Sequence, residues 1–133
     1  MELHRAGEDY LKTILILQKK NSAVRSLDVA EMLNVSKPSV SRAIKLLREG
    51  GFLTMNNDKR ISLTDAGREA AEQVFEKHRV LKICLVSMGV DPETAEKDAC
   101  RMEHTISTDT LKQMKSYLLR EAVSAKDSKR AET

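Results

Sequence analysis

The stretch SLDVAEMLNVSKPSVSRAIKLLREGGFL, residues 26–53, leaves a chain little freedom in how it folds. Apolar residues recur at helical spacing twice within it. Leu27, Val29, Ala30, Met32 and Leu33 line a short helix for which Ser26 is the expected N-cap. Val40, Ala43, Ile44 and Leu47 form the inner face of a second helix, capped by Ser36. Pro38 falls in its first turn, where a missing N–H costs little, and Gly50 and Gly51 end it. Only a four-residue turn, Asn34 to Lys37, separates the two. Upstream, Tyr10, Leu11, Ile14, Leu15 and Leu17 give residues 4–20 a broad apolar helical face. Downstream, FLTMNNDKRISLT reads as two short strands about an Asn, Asp and Lys turn. Three helices and a small hairpin make a winged helix-turn-helix.

The remainder is helical. A long helix is expected from about Asp65 to Met88, stopped by Gly89. Asp91 and Pro92 open another that includes DACRMEHTIS, and Ser107 opens a last one through about Glu121. The fold class is therefore mainly α, with a winged helix-turn-helix domain over 1–70 and a helical domain over 71–122. Residues 123–133 are polar enough to be expected as a disordered tail. The richest apolar run, Ile14 to Leu17, is far too short for a bilayer, and Met1 to Arg5 opens no signal peptide. A cytoplasmic protein with no membrane partner is expected, with Cys84 and Cys100 reduced.

Charge separates the halves. Residues 25–60 carry seven Lys or Arg against four Asp or Glu, whereas residues 61–106 carry six against nine. The front half suits a polyanion and the middle suits cations.

In a helix-turn-helix the second helix presents its N-terminal end to the major groove of double-stranded DNA. Ser36, Lys37, Pro38, Ser39, Ser41 and Arg42 occupy that end. Arg42 can read a guanine edge through two parallel hydrogen bonds, the serines and Lys37 suit phosphates, and Pro38 suits a thymine methyl. Asn57, Lys59 and Arg60 on the wing, and Arg25 ahead of the second helix, are placed for the backbone or minor groove. Such a unit also serves in some proteins as a protein-binding module.

On a helix, Cys100, Glu103 and His104 share one face, and a thiolate, a carboxylate and an imidazole together suit a transition metal. His78 lies on an otherwise apolar stripe with Ala71, Val74, Phe75, Leu81 and Leu85, where an imidazole needs a partner. Asp9 precedes Tyr10 at the start of the first helix. The plainer alternatives are a core histidine, an exposed Glu103 and cysteines that act as small hydrophobes, which is the reading for Cys84. His4 is read as part of a frayed terminus.

HRAGEDYLKTI, VSKPSVSRAIKLLREGGFL, LTDAGREAA, KHRVLKICL and DACRMEHTIS together resemble the diphtheria toxin repressor family of iron- and manganese-dependent regulators, up to about Leu119. The resemblance implies a helical dimerisation domain behind the winged helix and no SH3-like third domain. It implies that Asp9, Cys100, Glu103 and His104 ligate a regulatory metal, with His78 nearby as a lesser ligand. Cys100 resembles the iron-responsive members and Asp9 the manganese-responsive ones, so Fe(II) is expected, closely followed by Mn(II). Lys12 and Lys82 stand where members of one or the other type carry a second-site carboxylate, and Glu96 is expected to face Lys82. One ion per subunit follows. A homodimer is expected through Ala95, Ala99, Met102, Ile106, Leu111, Met114 and Leu118, residues that suit an internal core equally well. Metal joining Asp9 to the later ligands would set the spacing of two recognition helices to about 34 Å, one DNA turn, and repress metal-uptake genes. The rivals are a winged-helix regulator without a metal effector and, from the pattern CRMEH, a zinc-dependent hydrolase.

Overall fold

The computed structural model describes residue 3, residues 5–21 and residues 23–131, with side chains through residue 124. His4 and residues 132–133 of the expected tail lie outside the described residues. Six helices and a hairpin follow in the order α1 (Arg5–Lys20), α2 (Ser26–Leu33), α3 (Lys37–Glu49), β1 (Leu53–Met55), β2 (Ile61–Leu63), α4 (Asp65–Ser87), α5 (Pro92–Met102) and α6 (Thr108–Ala131). Two compact units meet between Phe75 and Glu76, inside α4.

In the first unit, Leu11, Ile14 and Leu15 of α1 are buried with Val29 of α2, Val40, Ile44 and Leu47 of α3, and Leu53 and Ile61 of the hairpin. The α3 terminus forms as its residues dictate. Ser36 Oγ accepts the Ser39 N–H at 3.3 Å, and Pro38 lies in the first turn. Asn34, in the left-handed region at φ 55°, turns the chain out of α2, since a short polar side chain tolerates that region. The α2 cap departs from expectation. Arg25, not Ser26, is the N-cap, and its N–H donates at 2.9 Å to the carboxylate of Asp28. Asp28 supplies the bond from inside the first turn, so Ser26 is free to be helical.

The strands pair antiparallel as Leu53↔Leu63, Thr54↔Ser62 and Met55↔Ile61, and the Ile61 N–H also reaches the Val24 carbonyl at 2.8 Å. Thr64 ties the wing to α4: its hydroxyl donates to the Gly51 carbonyl at 2.6 Å and accepts the Gly67 N–H at 3.1 Å. A Cβ on Gly67 would collide with the Phe52 backbone carbonyl, so only glycine fits there.

In the second unit, Val80, Cys84 and Leu111 are buried, with Ile106, Met114 and Leu118 packed against them. Ala95 and Ala99 are fully buried as well. These are residues expected for dimerisation, and most of that set instead makes the unit's own core. Among the described residues of this unit, the large apolar positions left exposed are Ile83 and Val86 on α4, Met88 just after it, and Tyr117, Leu119 and Val123 on α6. Cys84 is the small buried hydrophobe expected of it, with burial pushing its thiol pKa up. Asp91 caps α5 by accepting the N–H groups of Glu93 and Thr94. Ser107 caps α6 by accepting that of Thr110. α6 then runs to Ala131, through residues expected as a disordered tail, a stretch in which Ala, Lys and Arg favour helix.

Glu76 joins α4 to α6. Its carboxylate lies 2.8 Å from both Arg79 and Lys115, and the hydrogen bonds from these two cations lower its pKa from the usual 4.5 to about 2. A carboxylate depressed in this way stabilises the fold above about pH 4.5 and loses that contribution as pH falls towards 2. Urea melts should therefore show Glu76→Gln less stable than the wild type at neutral pH, with the gap closing across that acid window. Gly67→Ala should lower stability by about 1–3 kcal/mol, read from the same melts.

Candidate metal centre and nucleic-acid interface

The turn after α4 sends α5 back along it. Lys82, later on α4, meets Glu96, early on α5, whereas His78, one turn earlier, meets Cys100 and Glu103. His78 is the hub. Its Nε2 lies 3.0 Å from Glu96 Oε1 and its Nδ1 lies 2.7 Å from Glu103 Oε2. The Cys100 Sγ is 3.8 Å from the same Nδ1. The other oxygen of Glu103 is 3.3 Å from His104 Nε2, and the other oxygen of Glu96 is 2.9 Å from Lys82 Nζ. Cations or imidazoles thus alternate with carboxylates from Lys82 through Glu96, His78 and Glu103 to His104, with a thiol at the side.

Glu103 is 1% exposed, which excludes the reading that it simply points to solvent. A buried carboxylate needs compensating charge. The sequence placed Cys100, Glu103 and His104 on one helix. The structure corrects this: α5 ends at Met102, whose carbonyl accepts the N–H groups of Thr105 and Ile106 and the Thr105 hydroxyl. Glu103 keeps helical dihedrals as the C-cap and so remains in line with Cys100, while His104 reaches Glu103 from the turn beyond.

The donor set fits a divalent transition metal: two imidazoles, two carboxylates and a thiol face one another, and His78, Glu96 and Cys100 offer ligand atoms all within 4.8 Å. Sequence reasoning expected Glu96 to pair with Lys82, which it does, but missed it as a donor to this group. Its spacing of one helical turn from Cys100 was the available signal. His78, ranked below the other ligands, holds the central position. Asp9 is half-buried on α1, in the first unit.

In the first unit, Ser36, Lys37, Pro38, Ser41 and Arg42 are exposed at the start of α3, and Ser39 is half-buried. The Ser36 and Ser39 hydroxyls are 2.8 Å apart, which leaves one hydroxyl proton of the pair for an outside acceptor. Asn57, Lys59 and Arg60 are exposed on the wing. Lys59 is in the left-handed region at φ 63°, where a lysine is strained and a glycine would not be. The turn is held by Asn56, whose side-chain oxygen accepts the Arg60 N–H at 2.9 Å. The exposed Arg25 donates from Nε to the Asp58 carbonyl at 3.5 Å, linking the start of α2 to the wing.

Residues 2–61 match the N-terminal DNA-binding domain of iron-dependent repressors, and residues 64–124 match their metal-binding and dimerisation domain. The chain belongs to the iron-dependent repressor family. It is 33% identical to the HTH-type transcriptional regulator MJ0568 of Methanocaldococcus jannaschii, over 84% of this chain and 90% of that one. It is also 33% identical to the transcriptional regulator MntR of Salmonella typhimurium, over 93% of this chain and 80% of that one. A manganese-dependent transcriptional repressor solved with manganese superposes with a TM-score of 0.77 at 30% identity, covering 84% of this chain and 52% of the other. This member of the family is thus a metal-dependent transcriptional regulator with a divalent-metal effector, and not an enzyme. The hydrolase reading of CRMEH ends there. Among the described residues, no helix of this regulator is long and apolar enough to cross a membrane.

The two thiols differ in access. Cys84 is buried, whereas Cys100 is half-buried beside His78. An aromatic disulfide reagent should label one thiol of the native chain quickly, and Cys100→Ser should remove that fast phase. Fast labelling that persists in Cys100→Ser would contradict the burial of Cys84.

Proposed function

We propose that this chain represses metal-uptake genes by binding operator DNA as a homodimer once one Fe(II) or Mn(II) ion per subunit is held by Cys100, Glu103, His104 and His78. The observation that carries the reading is the buried Glu103 carboxylate between two imidazoles, one of which, His78, also meets the Cys100 thiol. When bound, the ion supplies fixed double positive charge among these donors. Cys100 favours the softer Fe(II), and the carboxylates draw the preference back towards Mn(II). Asp9 enters the ligand set from the family resemblance. By it the ion would tie the DNA-binding unit to the helical one.

On DNA, Arg42 reads a base edge while Ser36, Lys37, Ser39, Ser41 and the wing residues Asn57, Lys59 and Arg60 position the backbone, with Arg25 beside the wing and Pro38 against a thymine methyl. The exposed apolar residues of α4 and α6 are the surface available to a second copy, consistent with the dimerisation domain that residues 64–124 match.

The test begins with selection of a preferred duplex from a random pool with Fe(II) present. Its affinity is then measured under anaerobic Fe(II), Mn(II), Zn(II) or chelator. Metal should tighten binding about 5- to 150-fold, and Glu103→Gln should abolish the difference. Equal affinity in chelator and in every metal would defeat the proposal. In the same assay Lys59→Ala should reduce the salt slope by ~1 on any sequence, and Arg42→Ala should also relax sequence preference.

A further inference from the structure

Lys82 is a half-exposed lysine, and its ammonium lies 2.9 Å from one oxygen of Glu96, whose other oxygen lies 3.0 Å from His78 Nε2. His78 and Lys82 are one turn apart on α4, and Glu96 and Cys100 are one turn apart on α5. Because the helices run in opposite directions, the four heads form two facing ranks: Lys82 opposite Glu96, and His78 opposite Cys100. Glu96 is thus flanked on both sides. Its donor atom nevertheless lies within 4.8 Å of those of His78 and Cys100, close enough for the three to hold a cation of their own.

From this arrangement we infer that Lys82 limits the cluster to a single metal ion, by serving as a built-in cation that keeps Glu96 and excludes a second dication from His78 Nε2. The inference rests on the metal-binding reading above. An ammonium has three donors and no lone pair, so it cannot act as a ligand, and its charge repels any ion that approaches Glu96. The single ion is then held on the Glu103 side of His78, while the Lys82–Glu96 pair fixes the ring from the other side. An ion pair as exposed as this one contributes little to folding. Its consequence is therefore for the charge and capacity of the centre, and variants at Lys82 should fold.

The test is the number and affinity of Mn(II) ions bound per chain, from equilibrium dialysis with free Mn(II) read by electron paramagnetic resonance. Melting curves serve as the check on folding. The wild type should bind one ion. Lys82→Glu sets a third ligand beside Glu96 and His78 Nε2 and should raise the number to two. Lys82→Ala adds no ligand but removes a positive charge from beside the centre, and should keep one ion while tightening it. Two ions in the wild type, or unchanged binding in both Lys82 variants, would each overturn the inference while leaving intact the reading that the Glu103 cluster holds a regulatory metal. A wild type that takes up no Mn(II) and no Fe(II), and so matches Glu103→Gln, would overturn the metal-binding reading itself.

Discussion

The buried carboxylate of Glu103 is the constraint around which the second unit is arranged. Burial of a charge is tolerated only with opposite charge and hydrogen bonds at close range. His78 is hydrogen-bonded to one oxygen at 2.7 Å, and His104 Nε2 lies 3.3 Å from the other. His78 then needs its own second partner, which is Glu96, and Glu96 is balanced in turn by Lys82. Each group is placed by the need of the one before it, and the series ends where Lys82 reaches solvent. A centre built this way gathers two carboxylates, two imidazoles and a thiol beside one lysine, and a divalent ion can supply positive charge among them.

The helices make this series possible. α4 and α5 are joined by a short turn closed by Gly89, at φ 104°, and by the Asp91 cap, so that α5 doubles back. Fully buried Ala95 and Ala99 lie on the same helix as Glu96 and Cys100. Small side chains let helices approach closely enough for ion pairs of about 3 Å to form across them. The DNA-binding unit follows a different logic. Its functional side chains are exposed, and only their backbone is fixed: by the Ser36 cap, by Asn56 in the wing, and by a hydrophobic core that fills the space behind α3.

Much of this was legible in the sequence because the deciding interactions are short-range. Ser36, Pro38, Asp91, Ser107 and the glycines at 51 and 89 act on groups within about one helical turn, so their roles can be read from spacing. Failures arose where a competing partner was equally near or much farther away. Asp28 capped α2 from within, displacing Ser26. Thr105 and Ile106 closed α5 on Met102, so the trio read as one helical face is split between a helix and a turn. Leu111, Ile106 and Met114, read as suiting a dimer seam and an internal core equally, pack in the core, since periodicity shows that a face is apolar without showing what covers it.

The sequence by itself determined the order of elements, the winged helix-turn-helix, the exposed basic end of α3 and the identity of Cys100, Glu103 and His104 as chemically suited to a metal. Those properties follow from residue type and local spacing. Tertiary structure alone decided that His78 is the centre of the cluster, that Glu96 and Lys82 belong to it, and that Glu103 is buried. These depend on contacts between residues 14 to 25 positions apart, set by how α5 packs back on α4, and no local pattern encodes that distance.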